Sequence, residues 1–117
     1  MFTIREKQLE VLTTAHARTW YVDHLRRHFS GCSEWETRAL EAFVEFGIAQ
    51  ASTYGIRSPK CVCRYLDVMA AHGADFDTSA KCQWWAGAVL RGAPDMDEDR
   101  RTRFLTKSAL IALRKQE

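Results

Sequence analysis

The residues of this chain whose chemistry is weighed first are four cysteines, four histidines and the aspartates on either side of Phe76. The cysteines are Cys32, Cys61, Cys63 and Cys82. Structural zinc draws on ligands two to four residues apart, in two such pairs or with a histidine pair. Cys61 and Cys63 stand at i and i+2 of an expected helix and point about 200° apart. One ion cannot be held by both without unwinding that helix, so the four read as reduced, individually packed thiols, with no metal and no cofactor. His24 and His28 share a helix face at i, i+4, but no HExxH pattern and no third ligand accompanies them. Asp75 and Asp77 flank Phe76, yet a calcium loop needs more oxygen ligands and a terminal glutamate that this stretch lacks. No G-x-S-x-G elbow sets up a nucleophile beside a base. The six glycines stand singly, four of them at expected helix ends, so a phosphate-cradling loop is missing as well. The chain reads as a non-enzyme with no catalytic residue.

The totals agree with that reading. A chain of 117 residues forms one domain, residues 1–117, with a modest core. Its net charge of +2, with signs interspersed, is far from the concentrated basicity of a dedicated nucleic-acid binder. No apolar run approaches the ~18 residues that span a bilayer. The opening MFTIREKQLE carries charges and no apolar h-region, so it does not read as a signal peptide. A cytoplasmic protein without nucleic-acid or membrane partners is expected.

The elements that must position these residues are helices, expected near 4–29, 34–54, 59–72, 80–91 and 98–114. No period-two alternation marks a strand, and the fold class is all-α, a compact irregular bundle of about five helices. Thr3 with Glu6 and Ser33 with Glu36 have capping-box spacing at the first two starts. Leu40, Phe43, Val44, Gly47, Ile48 and Ala51 line one side of the second helix, which Gly55 stops in the left-handed conformation. Ser58 then caps the third helix, with Pro59 at its first position. Val62, Tyr65, Leu66 and Met69 form its stripe, leaving Cys61, Asp67 and His72 outside, and Gly73 ends it. Phe76 is expected to plug the core while both flanking carboxylates stay wet and Asp77, Thr78 or Ser79 caps the fourth helix. That helix carries Trp84 and Trp85, about 100° apart, so one of them is expected to be partly exposed. It stops at Gly92, with Pro94 beyond. Asp95 to Asp99 cap the fifth, whose inward face is read as Phe104, Leu105, Ser108, Ile111 and Ala112.

The short connection between the second and third helices permits a helix-turn-helix reading. The third helix brings only Lys60 and Arg64 to it, too few for a recognition helix.

The runs Phe46-Gly47-Ile48-Ala49, Tyr54-Gly55-Ile56-Arg57, Cys63-Arg64-Tyr65-Leu66-Asp67, Gly73-Ala74-Asp75-Phe76-Asp77 and Trp85-Ala86 resemble a family of short bacterial proteins. These are encoded in type VI secretion gene clusters, near spike (VgrG or PAAR) and effector genes and their adaptor chaperones. The chain departs from that pattern at Cys82-Gln83-Trp84-Trp85, where a Pro-Trp start to the fourth helix is expected. The resemblance implies an accessory protein or co-chaperone that helps an adaptor chaperone hold a secreted effector for loading. The alternatives are a cytoplasmic immunity protein that blocks a toxin and a small helix-turn-helix DNA binder. A partner surface would draw on the surplus of large aromatics, Trp20, Tyr21, Trp35, Tyr54, Trp84 and Trp85. The expected patch combines Tyr54, Arg57, Trp84 and Trp85, held by the structural residues Gly47, Gly55, Pro59, Tyr65, Gly73 and Phe76. It forms one surface only if the fourth helix packs beside the turn at Gly55.

Overall fold

The computed structural model describes residues 14–91 and 96–116. Every regular element among them is helical: α1 (Thr14–His28), α2 (Ser30–Ser33), α3 (Thr37–Thr53), α4 (Pro59–His72), a π-helical turn (Gln83–Gly87) that runs straight into α5 (Ala88–Arg91), and α6 (Glu98–Gln116). The protein is an all-α bundle. The expected start of the first helix near Ile4, with Thr3, Glu6, Leu9 and Leu12, lies outside the described residues, as do Gly92, Pro94 and Asp95.

The bundle is built around α4, which packs against α6, α3 and α1. It can do so because Cys61, Val62, Cys63, Tyr65, Leu66, Val68 and Met69 bury more than one stripe. Cys61 is therefore core, not the outward position the periodicity assigned to it. The contact with α3 is close at Gly47, where a Cβ would fall 2.3 Å from Leu66 Cδ2 and 2.8 Å from Met69 Sδ.

The reversal between α3 and α4 follows its local chemistry. Gly55 takes φ 76°, which an L side chain resists. Its N–H reaches the Ser52 carbonyl at 3.0 Å while the Ile56 N–H reaches Ala51 at 2.9 Å, the paired bonds of a Schellman stop. Ile56, fully buried, pins the turn to the core. Pro59 then opens α4, and its carbonyl accepts the Tyr21 hydroxyl of α1 at 3.1 Å. Gly73 closes α4 at φ 111°, ψ 154°, a region essentially restricted to glycine.

Four further expectations are corrected. The capping box of Ser33 and Glu36 does not form: Ser33 is the last residue of α2, and Glu36 occupies the N-cap of α3 without a side-chain cap. The chain goes extended at Phe29, makes the extra turn of α2, and is tied down again by Arg26. That guanidinium donates to the Trp35 carbonyl at 3.1 Å and to Thr37 Oγ1 at 2.9 Å. The fourth helix does not run evenly over 80–91, since turns and the π-helical segment precede α5. Asp77 is not wet: it is 3% exposed and its carboxylate accepts the Tyr54 hydroxyl.

The last correction is the face of α6. Leu105, Ala109 and Ala112 point inward with Thr102, whereas Phe104 and Ile111 are each 46% exposed. Polar anchors set this rotation. Glu98 Oε1 accepts the Ser58 N–H at 2.7 Å at the start of α4, and Arg64 Nη1 donates to Thr102 Oγ1 at 3.2 Å. Residues 98, 102, 105, 109 and 112 then share one face at helical spacing, which turns Phe104 and Ile111 aside. The N-terminal cap itself is Asp97, whose Oδ1 accepts the Arg100 N–H at 2.8 Å.

Candidate functional site

The segment 73–87 is folded around one aromatic series. Phe76 is fully buried, its centroid 5.0 Å from Tyr65 and 5.8 Å from Trp85, the last pair nearly parallel at 3°. Tyr54 lies 6.4 Å from Tyr65 at one end, and His72 lies 4.7 Å from Trp85 at the other. His72 Nε2–H donates to the Ala109 carbonyl at 2.9 Å, so this ring joins α4 to α6. Phe76 is the core plug its setting between two aspartates suggested.

The same segment is tied to the α3–α4 turn. The Tyr54 hydroxyl donates to Asp77 Oδ2 at 2.7 Å, and the Asp77 carbonyl accepts Gln83 Nε2 at 2.9 Å. Arg101 of α6 donates to the Tyr54 carbonyl. Gln83 opens the π-helical turn, and the next residue, Trp84, is 58% exposed while Trp85 is 4% exposed. Of the four residues expected to form a partner surface, the fold links Tyr54 to the segment carrying Trp84. It removes Trp85, which belongs to the core. Arg57 is exposed, with its Nε 3.4 Å from Ser52 Oγ and its amide 3.3 Å from Glu98 Oε1. Tyr21 joins Trp85 among the buried aromatics, and Trp20 is half-buried against the core.

A second aromatic face lies at the α1–α3 corner. A groove of about 630 Å³ is lined by Phe29, Trp35, Phe43, Met69, Ala70 and Ala74 among others. Trp35 meets Phe43 edge-on, at 5.3 Å and 88°, and remains 41% exposed. Sequence reasoning counted Trp35 among the surplus aromatics but not this groove, because its floor comes from the far end of α4.

Lys60 and Arg64, the two basic residues of the helix-turn-helix reading, both turn to Asp99 on α6. Arg64 Nη1 lies 2.8 Å and Lys60 Nζ 3.5 Å from its Oδ1, and Arg103 approaches Oδ2 at 3.0 Å. The Arg64 hydrogen bond, opposed by partial burial and reinforced by the charges of Arg64, Lys60 and Arg103, holds the Asp99 carboxyl below the ordinary aspartate value. Burial works to raise Glu98, but hydrogen bonds from Ser58, Arg57 and Cys61 outweigh it and hold that carboxyl low as well.

A third group assembles where α1 crosses α4. His24 Nε2 stands 2.8 Å from Asp67 Oδ1, and one donor atom from each of His24, Cys63 and Asp67 falls within 4.8 Å of the others. The Trp20 ring stacks on His24 at 4.9 Å, and the His28 ring is 4.7 Å from it on the other side. The four cysteines are separate buried thiols. Burial raises those of Cys32 and Cys82.

No helix among the described residues is long and apolar enough to cross a membrane. No protein-family model, curated protein or solved structure matches the chain.

Proposed function

We propose that this chain is a non-catalytic accessory protein that works by binding another protein. In the setting its sequence resembles, it assists an adaptor chaperone in holding a type VI secretion effector for loading. The observation that carries the reading is Trp84. A large apolar ring stands 58% exposed on a segment whose neighbours are fixed, Trp85 by burial and Gln83 by its bond to Asp77. Rigid exposed aromatics are favoured anchors of protein interfaces, because they bury much area for little lost side-chain freedom. The Tyr54 hydroxyl ties the α3–α4 turn to that segment through Asp77, and Arg57 is exposed on the same turn.

The basic residues of α4 weigh against DNA as the ligand, since Lys60 and Arg64 are both engaged with Asp99. The exposed Glu34, Glu36 and Glu41 give some support to the immunity-protein alternative, which would offer acidic groups to a toxin's basic site. Titration of the full chain with the adaptor and with the effector encoded beside it tests the proposal. Binding at micromolar concentration or tighter is expected for one of the two. Inhibition of a toxin's activity by the chain alone would favour the alternative.

A further inference from the structure

We propose that His24, Cys63 and Asp67 form a binding site for a zinc-class divalent ion that clamps α1 to α4. Cys63 and Asp67 are i and i+4 on α4, so they share a face, and α1 lays His24 across it. Helical i, i+4 pairs are a usual way to present two donors to one ion, as in the paired histidines of helical zinc motifs. The donor atoms already fall within 4.8 Å of one another. Zinc holds sulfur at about 2.3 Å and nitrogen or oxygen at about 2.0–2.2 Å, so a small closure of side chains completes three of four tetrahedral positions. His28 lies outside this donor set, its exposed ring 4.7 Å from that of His24, which leaves the fourth position to water.

The donor set selects the ion. A thiolate with an imidazole suits zinc and its borderline neighbours, whereas magnesium and calcium require oxygen ligands throughout. Charge also fits, since a thiolate, a carboxylate and a neutral imidazole cancel a divalent cation in a partly buried place. Binding releases the Cys63 thiol proton and leaves His24 with its remaining proton on Nδ1. The present hydrogen bond from His24 to Asp67 is then replaced by two metal bonds. Trp20, stacked on His24 at 13°, fixes the plane of the imidazole.

Cobalt(II) added to the chelator-stripped full chain is the probe. The expected result is one equivalent bound in a tetrahedral ligand field with a thiolate-to-cobalt charge-transfer band, displaced by zinc. Cys63→Ser should abolish that band. His24→Ala and Asp67→Asn should each weaken zinc by more than the about 10–100-fold that losing an outer hydrogen-bond partner costs. Zinc should also slow alkylation of Cys63 in the unmodified chain relative to Cys32 and Cys82, a readout that does not depend on a variant folding. Absence of the charge-transfer band at saturating cobalt, its persistence in Cys63→Ser, or alkylation of Cys63 that ignores zinc would each overturn the proposal. None of these measurements involves a protein partner, so the outcome is independent of the binding function.

Discussion

The hydroxyl of Tyr54 donates to the carboxylate of Asp77 at 2.7 Å, across 23 residues of chain. Tyr54 ends α3 and Asp77 precedes the π-helical turn, so this bond sets the Trp84 segment against the α3–α4 reversal. A hydrogen bond to a charged, buried acceptor contributes about 1.5–3 kcal/mol. Tyr54→Phe keeps the ring and its packing on Tyr65 but removes that bond. It should lower unfolding stability by about that amount in a urea titration, with the helical circular-dichroism spectrum retained. A loss below 0.5 kcal/mol, roughly the weak end for net hydrogen bonds, would place the hydroxyl in water.

Phe76→Ala and Trp85→Ala each empty part of the stacked aromatic series and should cost about 3–5 kcal/mol, measured by denaturant midpoint. Trp84→Ala, one residue away, should fall within about 0.5 kcal/mol of the parent chain, as exposed positions do. Equal losses at the two tryptophans would contradict the inward and outward assignment.

Asp99 gathers Lys60, Arg64 and Arg103, and with Glu98 it makes the α4–α6 junction acid-sensitive. Both carboxyls are held below their ordinary values, so the folded chain binds their protons more weakly than the unfolded chain does. The stabilisation is complete above the ordinary carboxyl range of about 4 and is lost as pH falls through the lower folded values. Asp99→Asn should cost about 1.5–3 kcal/mol at pH 7 and flatten the acid limb of the stability profile. An unchanged acid limb would show that the junction does not depend on this charge.

Much of the bundle is legible in the sequence because its signals are local. Gly55, Pro59 and Gly73 punctuate the chain by backbone chemistry that operates whatever packs around it, whereas Ser58 stands at the N-cap of α4 without the expected side-chain cap bond. The stripe Val62, Tyr65, Leu66 and Met69 is readable from periodicity alone. What escapes is decided by long-range partners. The face of α6 is set by Glu98 and Thr102 meeting Ser58 and Arg64 about forty residues earlier in the chain. Asp77 looks like a surface carboxylate until Tyr54 arrives, and the capping box at Ser33 gives way once Arg26 claims Trp35 and Thr37. The candidate site divides in the same way. The adjacency of Trp84 and Trp85 says that one of them points outward, but only Phe76 stacked on Trp85 says which. His24 and the Cys63–Asp67 pair carry no shared sequence pattern, since the crossing of α1 and α4 is what joins them.

The central claim, that the chain acts through an exposed aromatic anchor on a protein partner, is tested most directly by calorimetric titration of the parent chain and Trp84→Ala. On the proposed reading, the titrants are an adaptor chaperone and an effector of a type VI secretion cluster. The parent should bind one of them at micromolar concentration or tighter, and Trp84→Ala should weaken that binding by about 2–4 kcal/mol, as loss of an interface hot spot does. Failure of the parent to bind either protein, or equal affinity of parent and variant, would contradict it.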